Sequence, residues 1–353
     1  MAEGEGLDFF ESRRSQLAVW IATKMPSATD VALTPMQPAA SGFSNVTLFT
    51  DLTWVDSAGR HRRELVLRAV PVGQKLFPDD DLRLQYDVMT ALRDTPIPVP
   101  QLAWYLEDDG VLGVPAYFMD RIHGEVASGY RPGFHGHGLF FDAASERRRQ
   151  MWFAAVDVMA DLHQLDLQSL SLPASMGTPA NGREALTAVL ARIKTQLDSL
   201  DADVPVLWQA LDRLRVTMPA DLDVVLCWGD ARPGNIIYRD GKVAAALDWE
   251  LAHCGAPEGD LAYFLLVDEV VAELNGVPRL PGLPDAAETI AHYEQAVGRE
   301  LQNLDYHRIL QSLRMATMLV MTVLLSPAEL EFPPNYLTEN VPTRRLAQMM
   351  RDH

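Results

Sequence analysis

Cysteine is scarce in this chain, with two among 353 residues, Cys227 and Cys254. Two thiols cannot form the kind of disulfide framework that stabilises small secreted domains. Both lie in apolar stretches of the sequence. We therefore expect two buried, free thiols in a protein of a reducing compartment.

An export signal and a long hydrophobic run are also lacking. The chain begins MAEGEGLDFFESRR, with acidic residues and no apolar segment of signal-peptide length. Its longest nearly apolar run, residues 315–325, is well short of the ~20 residues that span a bilayer, and it predicts a buried helix. These features predict a cytoplasmic protein.

Basic residues are few relative to acidic ones, since 30 Lys and Arg against 48 Asp and Glu give a formal net charge of −18. This charge disfavours nucleic acid and anionic membrane, so neither is expected as a partner. It would attract cationic small molecules, although many acidic proteins carry such charge for solubility. The oligomeric state is left open.

The composition itself is globular, and the length favours two domains or lobes. The first third of the chain is dominated by strand patterns, and a glycine-containing turn at residues 57–60 predicts a β-hairpin. The elements expected there are a lead-in helix at 7–25, strands at 46–56, 63–70, 101–107 and 115–121, and a helix at 80–93.

From about residue 122 the pattern changes to long amphipathic helices, without an intervening linker. We therefore place a boundary near residue 120, which separates an N-terminal lobe, 1–120, from a helical C-terminal lobe, 121–353. The helices expected in the second lobe are 144–165, 182–200, 204–217, 258–274, 286–298 and 305–325.

The stretch VLCWGDARPGNIIYRDGKVAAALDWE, residues 225–250, is the conspicuous strand pair of the helical part. Its Asp-Gly dipeptide at 240–241 predicts a two-residue hairpin turn. Counting outward from this turn, Asn235 lies opposite Ala246, and Asp248 becomes its diagonal neighbour on the same face. Diagonal neighbours are about 7–8 Å apart, a gap that two short oxygen-bearing side chains can close around one cation.

An asparagine oxygen and a carboxylate, completed by water and phosphate oxygens, suit magnesium bound alongside a nucleotide. Asp230 lies five residues before Asn235, in the loop that enters the first strand. It would face the same site as a base that orients a hydroxyl. Taken singly, each residue also has a structural interpretation, in which Asp230 caps a turn, Asn235 starts a strand and Asp248 ends one. Their joint arrangement favours the chemical interpretation.

The run from Trp228 through Asp230 to Asn235, followed by Asp248, resembles the H-G-D-x-x-x-x-N signature of the aminoglycoside phosphotransferase-like, or choline kinase-like, small-molecule kinases. The resemblance implies an α+β, bilobal protein-kinase-like fold. A β-rich N-terminal lobe, 1–120, would bind the nucleotide, and the helical lobe, 121–353, would carry the catalytic loop and substrate site, with the nucleotide between them. It also implies Asp230 as catalytic base, with Asn235 and Asp248 as Mg²⁺ ligands.

The likeness covers most of the chain. SGFSNVTLFT looks like the turn that covers the nucleotide, ELVLRAVP like the strand carrying a phosphate-binding cation, and GVPAYFMDRIHG like the strand and hinge that read adenine. LPGLPDAAETIAHYEQAVGREL is similar to a subgroup fused to acyl-CoA dehydrogenases. The nucleotide contacts that the resemblance implies are Ser41, Gly42, Phe43, Ser44, Asn45, Arg68, Gln85, Met119 and Arg121.

Three positions depart from the family pattern. Trp228 stands where the signature has histidine, Arg68 where the phosphate-binding lysine is expected, and Gln85 where a glutamate pairs with that cation. Arginine keeps the positive charge and can hold phosphate oxygens with two hydrogen bonds. Glutamine can hydrogen-bond a guanidinium but adds no charge.

The sequence therefore predicts a Mg²⁺-dependent enzyme that transfers the γ-phosphate of ATP or GTP to a hydroxyl of a small molecule, either aminoglycoside-like or another hydroxylated compound. The similarity to dehydrogenase-fused relatives points equally to a hydroxylated acyl compound. Alternatives are a non-catalytic, nucleotide-binding regulatory protein of the same fold, suggested by Gln85, and a metal-dependent hydrolase. His135 and His137 in FHGHG would suggest a metal, but a loop beside the substrate is preferred, because ligands at suitable spacing are lacking nearby.

Overall fold

The computed structural model describes residues 3–39, 45–72, 81–107, 110–129, 131–177, 179–220, 222–325, 332–333 and 335–352. The chain divides into two compact units. The smaller unit comprises Met1–Thr95 and Val99–His123, and the larger one comprises Pro96–Pro98 and Gly124–His353. The predicted α+β class, with a β-rich N-terminal part and a mainly helical C-terminal part, is confirmed.

The smaller unit contains an antiparallel sheet whose strand order is β1-β3-β4-β6-β5, with β2 paired to β3. The predicted hairpin forms the centre of this sheet. Its successive side chains point to opposite faces of the sheet. The strands are β1 (Thr29–Leu33), β2 (Gln37–Pro38), β3 (Val46–Asp56), β4 (Gly59–Ala69), β5 (Leu102–Leu106) and β6 (Ala116–Asp120). The helices are α1 (Glu3–Ser12), α2 (Arg14–Lys24) and α3 (Leu82–Leu92).

One face of the sheet packs against α1 and α2. Leu65, Leu67 and Ala69 of β4 belong to that core, together with Leu17 and Ile21 of α2. Successive strand residues point to opposite faces, so Arg68 lies on the face away from this core. The alternation thus orients the residue expected to bind phosphate.

The lead-in helix was expected to be continuous, but the structure divides it between α1 and α2 at Arg13. The Ser12 hydroxyl donates to the Phe9 carbonyl, 2.7 Å away. Such a local side-chain bond competes with the helical ladder and favours a break at this position. The strands β1 and β2 were not expected either, because their residues are mostly exposed and lack a clear alternation.

The larger unit is built mainly from helices, whose positions agree with the predicted periodicity. In the helix from Pro205 to Val216, Leu207, Ala210, Leu211 and Leu214 are buried at the spacing that places them on one face. The helices are α4 (Leu139–Asp142), α5 (Ser145–His163), α6 (Gly182–Asp198), α7 (Pro205–Val216), α8 (Glu258–Asn275), α9 (Ala286–Val297), α10 (Leu304–Leu325), α11 (Tyr336–Glu339) and α12 (Val341–Asp352).

Helix α10 is the longest of these and lies in the middle of the helical core. Over its most apolar window the mean hydropathy is 1.4, so its length and composition alone would suffice to cross a membrane. Core helices meet the same criteria, and Leu310, Leu313 and Val320 of α10 pack with residues of α6, α7 and α12. The run at 315–325 is the C-terminal end of this helix, and it is buried only in part, because Ala316 and Val320 are buried whereas Leu324 and Leu325 are exposed.

Two small sheets in the larger unit hold the segment that carries Asp230, Asn235 and Asp248 in place. One has the order β10-β9-β7 and the other pairs β11 with β8. Their strands are β7 (Glu125–Val126), β8 (Val225–Cys227), β9 (Ile236–Arg239), β10 (Lys242–Ala246) and β11 (His253–Gly255). The single strand pair expected over residues 225–250 is thus divided, and the loop between β8 and β9 carries Asp230.

Candidate active site

The hairpin of β9 and β10 turns at Asp240 and Gly241, as predicted, with φ of 53° and 75°. Beyond the turn, a β-bulge between Val243 and Ala245 shifts the register by one residue. The predicted pairing of Asn235 with Ala246 is therefore wrong, because a bulge inserts an unpaired residue into one strand. The N–H of Leu247 instead donates to the Asn235 carbonyl, 2.8 Å away.

Asp248 follows this bond directly and has a left-handed backbone, with φ of 63°. It is therefore not the diagonal neighbour in a regular ladder that the spacing predicted. A non-glycine residue adopts this conformation only where its surroundings hold it. Here Trp249 is fully buried, donates from Nε1 to the Ala246 carbonyl at 3.1 Å, and stacks on Trp228 with ring centres 5.3 Å apart.

Asp230 and Asn235 come together, as the motif implied. The Asn235 amide nitrogen donates to Asp230 Oδ2 at 2.5 Å and to the Asp230 carbonyl at 3.0 Å. Asn235 ends a short 3₁₀ turn, Pro233–Asn235, and both side chains are buried. Because the amide nitrogen is used in this way, Asn235 Oδ1 is the atom that remains for a cation.

Arg232 also belongs to this site, although it was not predicted from the sequence. Its Nε donates to Asp230 Oδ2 at 2.9 Å. The charge of Asp230 is the main cause that raises the pKa of Arg232, and the charge of Asp248 raises it further. Arg232 therefore lies within electrostatic reach of both carboxylates. Its position inside the motif, two residues after Asp230, could have indicated from the sequence that it belongs to the site.

Tyr263 of α8 was also not anticipated. It is buried, and its hydroxyl hydrogen-bonds to Asp230. Burial is the largest cause that raises the pKa of Tyr263, and the negative charge of Asp230 adds to it. The hydroxyl therefore stays protonated near neutral pH and remains a donor. A tyrosine in a hydrophobic helix gives no sequence signal for this role.

The loop that carries Asp230 is held from behind by Asp260. The N–H groups of Trp228 and Gly229 donate to its two carboxylate oxygens at 2.6 and 2.8 Å, and His163 Nε2 lies 3.1 Å away. Burial alone would raise the pKa of Asp260, but the hydrogen bond and charge of His163, with the Gly229 N–H, lower it overall. The expectation that Asp260 starts a helix and supports this loop is confirmed.

Glycine is required at position 229. Its φ is 85°, and a Cβ atom there would lie 2.0 Å from the Leu251 carbonyl oxygen. Trp228, in the place of the signature histidine, fixes the same loop through its side chain, since Nε1 donates to the Leu247 carbonyl at 2.8 Å. The indole thus ties the Asp230 loop to the segment that carries Asp248.

Among the described residues, His163, Cys227 and Asp260 form a group with ligand atoms within 4.8 Å of one another. Burial raises the pKa of the Cys227 thiol, so it remains protonated, and the thiol faces the Ala256 carbonyl at 3.5 Å. The other two side chains are engaged with each other and with the loop. The group therefore acts as a structural support.

The predicted nucleotide contacts lie in the smaller unit. Arg68 extends from β4 and donates from Nη1 to the Thr47 hydroxyl at 3.2 Å. Gln85 is buried on α3 and accepts a hydrogen bond from the Tyr117 hydroxyl at 3.3 Å. Asn45 is buried at the edge of β3, whereas Ser41, Gly42, Phe43 and Ser44 lie outside the described residues.

Met119 lies in β6, between β4 and β5. The N–H of Asp120 donates to the Gln101 carbonyl at 2.8 Å, and that of Arg121 donates to the Glu64 carbonyl at 3.0 Å. These two N–H groups are therefore used within the unit. The reading of adenine by backbone groups near Met119 and Arg121 stays a prediction.

His135 is buried rather than part of an open loop. Its Nε2 lies 2.9 Å from the Asp268 carbonyl, and its Nδ1 accepts the N–H of Leu280 at 3.2 Å. Both ring nitrogens thus bind backbone groups, so His135 is held in the packed interior, and a position beside the substrate stays a prediction. His137 is hydrogen-bonded to Ser128, at 3.0 Å.

The sequence profile of the phosphotransferase enzyme family matches residues 36–304, more than half of the chain. The chain belongs to this family. The resemblance to the aminoglycoside phosphotransferase-like kinases is thereby confirmed. The matched range includes Arg68, Gln85, Asp230, Asn235 and Asp248.

Curated relatives of this family member include acyl-CoA dehydrogenase family member 11 of Gallus gallus, 30% identical over 245 residues, and that of Homo sapiens, 28% identical over 263 residues. The alignments cover 65% and 71% of this chain but only 28% and 32% of the relatives. The chain therefore spans about a third of their length or less. The predicted similarity to kinases fused to acyl-CoA dehydrogenases agrees with these matches.

Solved structures confirm the kinase-like fold of the family. A Ralstonia eutropha protein, provisionally assigned as an aminoglycoside phosphotransferase, has a TM-score of 0.69 and 24% identity, covering 96% of this chain and 97% of that one. Aminoglycoside phosphotransferase APH(4)-Ia in complex with ADP and hygromycin B has a TM-score of 0.59 and 14% identity, covering 95% and 98%. At these identities the likeness shows the fold.

Proposed function

We propose that this chain is a Mg²⁺-dependent kinase that transfers the γ-phosphate of ATP or GTP to a hydroxyl of a small molecule, with Asp230 as catalytic base. The observation that carries the proposal is the fixed carboxylate of Asp230, which two donors hold at one oxygen while Asp260 braces its loop. Membership of the phosphotransferase family supports it. The buried, free thiols Cys227 and Cys254 fit the cytoplasmic location that we also propose.

The proposal of a nucleotide donor and a small hydroxylated acceptor is supported by proteins of the same fold. APH(4)-Ia has been crystallised with ADP and hygromycin B, and with AMP-PNP and hygromycin B. We propose that this chain likewise binds a nucleotide and a small hydroxylated molecule. Fold and motif alone do not define the acceptor, so hygromycin B itself is not carried over.

Phosphoryl transfer depends mainly on positioning and charge neutralisation. In the proposed reaction Asp230 accepts the proton of the substrate hydroxyl and orients its oxygen. Asn235 and Arg232 prevent rotation of that carboxylate, because both donate to its Oδ2. Tyr263 contributes a further hydrogen bond from α8.

The residues fit a magnesium ion. Asn235 Oδ1 and the Asp248 carboxylate are hard oxygen donors, the type that Mg²⁺ prefers, and two protein ligands leave room for phosphate and water oxygens. When bound, the ion would neutralise charge on the transferring phosphate. In the smaller unit, Arg68, Asn45 and the segment Ser41, Gly42, Phe43 and Ser44 would contact the nucleotide, with Gln85 as a neutral neighbour.

A non-catalytic nucleotide-binding protein is the second candidate function. Gln85 favours it, because an amide in the place of a glutamate adds no charge that would hold Arg68 for catalysis. The presence of Asp230, Asn235 and Asp248 together argues for the enzyme instead. The two candidates differ in whether phosphate leaves the nucleotide.

The deciding experiment measures phosphate transfer from ATP and GTP, with and without Mg²⁺, to aminoglycosides, amino alcohols, sugars and hydroxylated acids. Asp230→Asn is the test variant, and Asp212→Asn, an exposed position on α7, is the matched control. We expect transfer that needs Mg²⁺ and falls by about 100-fold or more in Asp230→Asn while nucleotide binding persists. Transfer at the normal rate by this variant would contradict the role of Asp230. Tight nucleotide binding with no transfer to any acceptor would favour the second candidate.

A further inference from the structure

A cavity of about 320 Å³ lies inside the larger unit. Its walls come from α6, from α10, from the segment that leads into β11 and from the stretch just before α6. This volume is at the lower end of the range found for small-molecule sites. Met176, Ile193, Leu251 and Met318 contribute apolar surface, so the cavity suits a compact, partly apolar molecule.

The charged residues of the cavity wall differ in sign from the chain as a whole. Arg192 and Arg314 both line it, with Glu184 as the carboxylate among the lining residues. Glu184 accepts the N–H of Ala180 at 2.8 Å, at the start of α6. His253, also in the wall, has its pKa lowered by burial and is neutral near pH 7. In a protein with a net charge of −18, the wall of this cavity thus holds two arginines and one carboxylate.

Arg314 is the residue best placed to bind an anion. Its Nη1 donates to the neutral Gln311 Oε1 at 2.7 Å, and within the described part of the chain no carboxylate lies within ion-pair distance of it. Burial is the main cause that lowers the pKa of Arg314, and the like charge of Arg192 adds to it, whereas Tyr263 and the charges of Asp260 and Asp230 oppose it. A partly buried guanidinium that is in direct contact with no carboxylate is stabilised by an anion that enters the cavity.

The cavity adjoins the proposed catalytic loop. Leu251 lines the cavity, and its carbonyl is packed so closely against Gly229 that no side chain fits there. Tyr263 and Asp230 lie within electrostatic reach of Arg314, and Tyr263 hydrogen-bonds to Asp230. A molecule in this cavity would therefore lie close to Asp230.

We propose that this cavity binds the phosphate acceptor and that the acceptor is a hydroxylated compound with an anionic group beside a short apolar segment, bound through Arg314. This inference rests on the proposed kinase function and adds the acceptor class to it. It predicts a preference opposite to the one that the overall acidic charge suggests. A polycationic aminoglycoside is repelled by Arg314 at this site.

The test uses the 353-residue chain and acceptors of different charge, of which the acids and their amides form a pair that differs mainly in charge. Aliphatic hydroxycarboxylic acids are compared with their primary amides, with phosphate monoesters of aliphatic diols and with aminoglycosides. Phosphate transfer gives kcat and KM, and calorimetry without nucleotide gives the affinity for each compound. We expect the acids, the phosphate monoesters or both to exceed the neutral amides in kcat/KM by about 10- to 100-fold, as for loss of a charged hydrogen bond.

The variants separate charge from shape. Arg314→Met removes the charge and is expected to abolish the preference for the anion mainly through KM, while Arg314→Lys restores part of it. Met318→Trp fills the cavity and is expected to weaken every acceptor. Arg215→Met, on the outer part of α7, is the matched arginine control and leaves the preference unchanged. Thermal unfolding of each variant shows that it is folded.

The two proposals fail in different ways. Equal use of acids and amides by the unaltered protein overturns the acceptor class without the need for any variant. Phosphate transfer that is insensitive to Arg314→Met and Met318→Trp overturns the cavity as the acceptor site and leaves the kinase intact. Arg314-dependent binding of anions with no transfer to any compound supports the cavity as an anion site and overturns the kinase.

Discussion

The amide nitrogen of Asn235 lies 2.5 Å from Asp230 Oδ2 and 3.0 Å from the Asp230 carbonyl, so one asparagine holds both the side chain and the backbone of the proposed base. The geometry also orients the asparagine itself. With its nitrogen used by Asp230, its oxygen remains for the metal. One side chain therefore couples the proposed base to the proposed metal site.

Asp248 is a proposed ligand of Mg²⁺, and its backbone has a strained, left-handed conformation. We expect Asp248→Gly to raise the free energy of unfolding by about 1 kcal/mol, because glycine adopts φ of 63° without the penalty of a side chain. The same change removes a carboxylate, so binding of the magnesium–nucleotide complex should weaken. Urea unfolding and calorimetric titration at several Mg²⁺ concentrations measure the two effects. A gain in stability with unchanged Mg²⁺-dependent binding would remove Asp248 from the metal site.

Gly229→Ala is expected to destabilise the protein by more than 2 kcal/mol, a rough lower limit, and to impair activity. The added methyl group would clash with the Leu251 carbonyl, and φ of 85° adds backbone strain. Gly276→Ala is the matched control, since its φ of 64° gives comparable strain but no atom lies within 4 Å of a new Cβ. Chemical unfolding of both variants separates the effect of the clash from that of backbone strain. An equal loss of unfolding free energy in the two variants would show that the Leu251 carbonyl does not exclude a side chain at position 229.

Asp260→Asn should cost about 2–4 kcal/mol and reduce phosphate transfer, because the neutral amide cannot accept the N–H groups of Trp228 and Gly229 as strongly. The pKa of Asp260 is lowered in the folded state, so its contribution is present above the unfolded value of about 3.9 and is lost as the pH falls through the lower, folded value. Unfolding measured between neutral and strongly acidic pH should therefore depend less on pH in the variant. An unchanged acid dependence would contradict this role.

Trp228→Phe removes the indole donor to the Leu247 carbonyl but retains an aromatic ring beside Trp249. We expect a loss of about 0.5–1.5 kcal/mol in stability and a kcat within a few-fold of the original, because the loop is still held by Asp260. Thermal unfolding and steady-state kinetics measure both quantities. A collapse of kcat would show that the indole has a direct part in catalysis.

Local patterns in the sequence predicted most of the secondary structure. The buried residues of α7 recur at helical spacing, and the hairpin of β3 and β4 alternates, so both elements follow from side-chain periodicity. The strands β1, β2 and β8 were missed, because they are too short to show a clear alternation of side chains. The bulge in β10 was missed because the Asp-Gly turn predicts a regular ladder and no residue type in β10 marks the irregularity.

The sequence by itself determined the fold class, the family and the residues of the motif, because these depend on periodicity and on the spacing of chemically distinctive side chains. Only the tertiary structure decided which atom of Asn235 remains available for a cation. It placed Arg232 and Tyr263 beside Asp230. It also placed Arg192 and Arg314, far apart in the chain, in the wall of one cavity. Contacts between distant segments depend on how helices pack, and the spacing of residues within one segment does not encode them.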